Sequence, residues 1–568
     1  MMRSSVVRLA TGVGDVRTRV SLGHRVSGCV FRAGATAALT AFFLVPSTAR
    51  AQGEPQEPLG EVDFGATCDP AVLDAFDRGV ALLHHMTYPA ALAAFEAVTR
   101  RDPACALAYW GAAMTLFQPL WPNRPGPEEL RRGWEWMQEA RLRVRPGGRE
   151  SMFVSAGEAF FDPAGDPDYW LRIERWATAT AALYRSDPDD REARAFQALA
   201  LLAAASRQGD AAAHHAEAAR LLEEILEEEP THPGAVHYTI HANDFRGRER
   251  MSLDVVRTYG EIAPDNAHAL HMPTHIFVLL GRWDEVIDWN RRAAAAALAQ
   301  RVGPSGAHVW DEFPHAVEYL VYAHLQRGDD AAAADLIRSL NETPDLQPSF
   351  KTAFHYASTS ARYALERRDW QAAGGIRVRT PATLAWDSFP WPEAIAWFAR
   401  GLGAAHTGAP GAVDESIERL RELSRTAADA GEPLFAGQID ILRLELEGWR
   451  AFVLGDRETA VGRLEDAVSL EERTPKHPVT PGPTVPALEL LGDLHLALGE
   501  PDAARDAYRA SNDVAPGRFN TLLGLARASV ALGQPEAARA YYAALLEGAA
   551  PSSSRAGVSE ARAFIARG

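Results

Sequence analysis

Histidine is the residue type whose placement in this 568-residue chain carries the most chemistry. Of 18 histidines, 11 fall between His214 and His324. His237 and His241 are four residues apart, a spacing that puts both on one face of a helix. His271 and His275 repeat that spacing, each 34 residues after its counterpart in the first pair. Neighbouring helices pack about 8 to 10 Å apart and an imidazole nitrogen binds a divalent ion at about 2.0 to 2.1 Å, so the two pairs could share one ion. Imidazoles with a carboxylate such as Glu318 suit Zn, Fe, Cu or Ni. Beside Glu318 and Asp244 they could also do acid–base work, or hydrolysis at a metal with an open position. A metal-free groove for a peptide or anionic group, and a purely structural hydrogen-bond network, are the competing readings. The sequence contains no Gly-rich phosphate loop, nucleophile elbow or HExxH helix, so it names no reaction.

The elements that must position these residues show up as a repeat. Near the C-terminus Leu488, Leu491-Gly492, Gly499, Ala504-x3-Tyr508 and Pro516 are followed 34 residues on by Leu522, Leu525-Ala526, Gly533 and Ala538-x3-Tyr542. Gly79, Ala91-x3-Phe95 and Pro103 repeat the pattern at the N-terminal end, and Leu444, Gly448, Gly455 and Ala460 in between. This resembles the tetratricopeptide repeat (TPR), in which small residues let two helices of a hairpin approach and an aromatic fills the gap between them. The resemblance implies an all-α, TPR-type helical-hairpin solenoid. Weaker units are expected near 185–230, 233–264, 267–300, 314–342, 354–375 and 394–425, with closing turns at Gly281, Gly328 and Gly408.

Counted in TPR positions from Pro233 and Ala267, the paired histidines take slots five and nine, with His268 at slot two and Asp244 at slot twelve. The following units add His315, Glu318 and Tyr322, then His355 and Arg362. In TPR proteins such slots line the concave groove, so His237, His241, His271, His275 and Glu318 are the expected metal ligands, with the other six behind them. Pro273 is expected to kink or start a helix and so to turn His268 relative to the rest. In the adjacent pairs His84-His85 and His214-His215 one member of each is expected to face solvent. Trp110, Trp121, Trp283, Trp370, Trp397 and Trp449 read as helix-core packing.

Beyond the general repeat, His232-Pro233-Gly234-Ala235-x-His237-x3-His241, His268-x2-His271-Met272-Pro273-x-His275, Leu83-His84-His85, Asp102-Pro103-x-Cys105 and His477-Pro478-Val479-Thr480-Pro481-Gly482 resemble a bacterial family of exported or soluble TPR proteins. That resemblance implies repeat architecture and shared histidine motifs, and supplies no reaction.

Residues 1–51 read as an export signal. Six arginines precede the apolar run Ala33 to Val45, and Ala49-Arg50-Ala51 gives the small-x-small cleavage pattern. The run is shorter than the roughly 20 residues of a spanning helix. The expected organisation is the signal (1–51), a flexible lead-in (52–67), an N-terminal TPR array with the histidine-rich groove (68–345), middle repeats (346–473), a Pro-rich loop (474–484), a C-terminal TPR pair (485–547) and a tail helix (548–568). The product is expected in the periplasm or secreted, without stable membrane insertion. Cys29 leaves with the leader, and export would let Cys68 and Cys105, about one repeat apart, form a disulfide.

The net charge of −17, with no basic block to offset it, argues against a nucleic-acid binder or a protein held on an anionic membrane surface, and the TPR resemblance implies an interaction scaffold with a protein or peptide partner. Lysine occurs only at Lys351 and Lys476, which reads as coding bias toward arginine.

Overall fold

Phe95 shows how the repeat makes its hairpins. Its ring lies between Gly79 and Gly111, where an added Cβ would come within 2.9 Å and 2.5 Å of it respectively. The C-terminal pair is built the same way, with Tyr508 clasped between Gly492 and Gly524 at 2.7 Å and 2.3 Å by the same measure. Any side chain at these glycines would push the helices apart, so the aromatic sets the spacing of successive hairpins. Closing turns at Gly281, Gly328 and Gly408 adopt φ of 65°, 64° and 76°, the left-handed region that favours glycine.

The computed structural model describes residues 57–165, 168–205 and 211–567. The expected export signal and residues 52–56 of the lead-in lie outside them. Among the described residues the regular elements are α-helices, apart from short 3-10 turns and a two-residue antiparallel pairing of Arg301–Val302 with His308–Val309. It is an all-α, TPR-type array of helical hairpins. One hydrophobic core runs from Leu59 to Leu340 and a second begins at Phe350. No helix among the described residues is long and apolar enough to cross a membrane.

Cys68 and Cys105 form a disulfide with their Cα atoms 4.7 Å apart. Cys105 is the residue before the helix Ala106–Met114, and Cys68 lies in the extended lead-in, which Asp102 Oδ2 pins by accepting from Asp69 N at 2.7 Å. The lead-in thereby covers the distance that two packed helices would leave open.

The array also returns on itself. Arg124 reaches Glu432 at 3.0 Å, Trp283 Nε1 donates to Gly517 O at 3.0 Å, Ala550 N donates to Arg327 O at 2.8 Å, and Arg555 pairs with Asp330 at 2.7 Å. In a simple solenoid each repeat touches only its neighbours. Here the C-terminal repeats and the Pro-rich loop lie against the middle of the chain, so the histidines do not line an open groove.

Candidate metal centre

The helix Pro233–Asn243 starts with Pro at its first position, and the His232 side chain caps it by accepting from Ala235 N. Asn266 caps Ala267–His271 in the same manner, and Pro273–Leu279 follows at once. Pro273 costs a backbone hydrogen bond, yet Met272 keeps helical angles of −53° and −41°. The helical phase therefore carries through, and His268, His271 and His275 stay on one face. The expected turning of His268 does not occur.

Six buried imidazoles form two trios, His237 with His241 and His268, and His271 with His275 and His315. In the first, the Nε2 of His237 lies 3.2 Å from the Nε2 of both His241 and His268. In the second, His271 Nε2 lies 3.0 Å from His275 Nε2.

The outer nitrogens fix the proton positions. His237 Nδ1 faces His84 O at 2.6 Å, at the end of the helix Leu73–His84, and His268 Nδ1 faces Glu312 Oε2 at 3.2 Å. His275 Nδ1 meets Asp244 Oδ2 at 2.8 Å. His271 Nδ1 meets Asn290 Oδ1 at 2.7 Å, and the Asn290 amide nitrogen donates to Val286 O, so its oxygen is the acceptor. Each of these four nitrogens must carry a hydrogen, which leaves each Nε2 a bare lone pair. His355 Nδ1 donates to Glu318, so its Nε2 accepts from His315 Nδ1 at 3.0 Å, and His315 Nε2 is bare as well.

Lone pairs thus face each other at His237–His268 and His271–His275, and no neutral tautomer joins either pair by a hydrogen bond. Protonation would relieve the clash, but burial, reinforced by neighbouring histidines, holds His237, His241, His271 and His315 well below the ordinary imidazole range. Two nitrogens bound to one ion at 2.0 to 2.1 Å lie about 2.9 to 3.4 Å apart for angles from a right angle to tetrahedral. The 3.0 and 3.2 Å separations fall in that range. The donor set fits a transition metal, with outer partners of the kind that orient metal-bound histidine.

Behind the imidazoles stand three carboxylates, each with a cation. Asp244 pairs with Lys476 at 2.7 Å, Glu312 with Lys351, and Glu318 with Arg362 at 3.1 Å. Burial opposes ionisation of Asp244, but Lys476 and His275 outweigh it and hold its carboxyl below the usual range. The two lysines of the chain are therefore both site residues, which the reading of lysine scarcity as coding bias passed over. Composition displayed them; only the fold gives them a place.

Glu318, expected as a ligand, stands outside both trios. Its oxygens take His355, Ser358 and Arg362, which keeps it a layer away from the bare nitrogens. His268 and His315 move the other way, into the trios. Tyr322 belongs elsewhere, accepting from Arg518 Nη1 at 2.6 Å. Arg362 also ties down the Pro-rich loop through Gly482 O at 2.6 Å and Pro483 O at 2.8 Å.

His241, His268, Met272, His275 and His315 share a cavity of about 30 Å³ with Trp121, Lys351 and the loop residues His477, Pro478 and Val479. It is sized for one or two non-hydrogen atoms, not for a peptide. At this point the chain has a small cavity lined in part by those loop residues in place of the expected peptide-wide groove.

His84, His85 and His232 are satisfied without an ion. His84 and His232 both donate to Glu192, at 2.9 and 3.2 Å. His85 bonds Tyr259 and Leu59 O, so both members of the His84-His85 pair are buried, contrary to the expectation that one faces solvent. His214 and His215 are each half-buried.

No family model matches the chain, and no curated protein matches it. Among solved structures it is similar to the APC/C hetero-tetramer Cut9-Hcn1, with 15% identity over 87% of this chain and 90% of that one and a TM-score of 0.29. It is also similar to the human IFIT1 dimer with m7Gppp-AAAA, with 13% identity over 78% of this chain and 90% of that one and a TM-score of 0.34. The repeat architecture itself rests on the helices and glycine clasps described above.

Proposed function

We propose that the chain is an exported helical-repeat protein, of interaction-scaffold type, whose buried histidine centre takes a transition metal ion. The observation that carries the metal is the pairing of bare Nε2 atoms at 3.0 and 3.2 Å, with every matching Nδ1 engaged by an acceptor behind it. The Cys68–Cys105 disulfide supports export, because such bonds persist outside the cytoplasm. The peptide or protein partner, on this reading, docks on another face of the array, since the histidine cavity has room for only one or two non-hydrogen atoms.

Elemental analysis of untagged protein, stripped and then exposed separately to Zn, Cu, Fe and Ni, tests the metal. Stoichiometric uptake that falls in His237→Ala and His275→Ala is expected. Sub-stoichiometric uptake of all four overturns it and leaves the hydrogen-bond network. Fractionating a tagged strain into cytoplasm, periplasm and medium tests the location.

A further inference from the structure

The two trios open on one cavity. His241 and His268 come from the first, His275 and His315 from the second, and the rings of His241 and His275 have their centroids 6.1 Å apart. Each trio supplies three imidazoles, and two of each line the shared space. Five of the six Nε2 atoms are bare for the reasons given above, so the second trio has as strong a claim on an ion as the first.

The charges select the metal. No carboxylate oxygen belongs to either trio. Paired iron and manganese sites in helical proteins are held by glutamates that bind the ions directly, and here the carboxylates stand behind the imidazoles. Asp244, Glu312 and Glu318 are each neutralised by Lys476, Lys351 and Arg362. The ligand shell is thus electrically neutral, and two divalent ions would bring about four uncompensated charges into a buried space, which is costly. Two cuprous ions bring half as many. Imidazole is a good copper ligand, and the thioether of Met272 lines the same cavity.

We infer that the six histidines hold a pair of copper ions and that the cavity between them takes one molecule of dioxygen; this rests on the metal reading above. The step balances without any other reactant. Two Cu(I) give one electron each to O2, the O–O bond order falls from two to one, no proton moves, and the products are two Cu(II) and a bound O2²⁻. The total charge of the centre is the same before and after, so the buried shell meets no new electrostatic cost. A space of about 30 Å³ admits a diatomic ligand and excludes an organic substrate.

The test uses the whole protein, stripped of metal and loaded under argon with cuprous ion supplied as its acetonitrile complex. Two equivalents of copper per chain, followed by uptake of one O2 per two copper and a new near-ultraviolet absorption that argon reverses, are expected. His315→Ala should fall to one copper and lose oxygen uptake, while far-ultraviolet circular dichroism reports whether it is folded. The wild-type copper count carries the proposal even if that variant fails to fold. One copper per chain overturns the pair and leaves the metal reading standing. No copper overturns the pair, and the metal reading falls with it only if Zn, Fe and Ni are not taken up either. Two coppers with no oxygen uptake overturn the dioxygen assignment.

Discussion

Lys476 and Asp244 meet at 2.7 Å although 232 residues separate them in the chain. Asp244 also accepts from His275 Nδ1, so a single carboxylate ties the Pro-rich loop to the second histidine trio. Lys476→Met should leave that buried carboxylate one cation short and cost about 2 to 4 kcal/mol. Asp244→Asn with Lys476→Met should cost less than the two single changes summed. Urea unfolding of the four proteins in a double-mutant cycle measures this, and strict additivity would show the pair to be uncoupled.

Acid should destabilise the metal-free protein. Burial depresses His237, His241, His271 and His315 in the folded state, whereas the unfolded chain takes up protons on these residues as pH falls through about 6.5. The unfolded state then binds more protons, so stability is present above that pH and is lost below it, with a slope of up to about 1.4 kcal/mol per pH unit for each histidine. Thermal melts of the metal-free protein should be flat from pH 8.5 to 7 and fall steeply from 6.5 to 5. A Tm that holds constant to pH 5 contradicts the buried neutral imidazoles.

Reduction of the disulfide should loosen the first repeat. Closing a loop of 37 residues contributes roughly 3 to 4 kcal/mol in the chain-entropy model. Thiol titration of the denatured, unreduced chain lacking residues 1–51, and with them Cys29, should find no free thiol. Two reactive thiols per chain would show that the bond does not form in the cell.

Gly524→Ala should cost about 1 to 3 kcal/mol, because the new methyl carbon would lie 2.3 Å from the Tyr508 ring, a clash that only a shift of the hairpin relieves. Gly462→Ala, in the helix Arg457–Arg473 with open space around it, should instead add up to about 1 kcal/mol. Equal effects in chemical denaturation would refute the clasp.

The period of the sequence makes His237, His241, His271 and His275 legible as one site, since a 34-residue repeat carries a helical face from one hairpin to the next. Slot counting says which face a residue is on and little about depth. Glu318 therefore reads as a ligand, although the helix Phe350–Leu365 supplies His355, Ser358 and Arg362 to engage it first. The carbonyl of His84 leaves no mark in the sequence, because any residue could offer one. The Pro-rich composition of 474–484 announces a loop but not the cavity it covers. Two lysines in an arginine-rich chain were the overlooked sign: a compact ammonium on a flexible stem reaches a buried carboxylate where a planar guanidinium does not fit as readily.

The closure contacts change how such an array can be cut. Trp283 to Gly517 and Arg124 to Glu432 span 234 and 308 residues. A stack held by neighbours alone can lose its last repeat and keep the rest, each hairpin melting on its own account. Here the end of the chain supports the middle through contacts of long sequence separation, so removing the final hairpins should lower cooperativity across the chain instead of shortening it by one module.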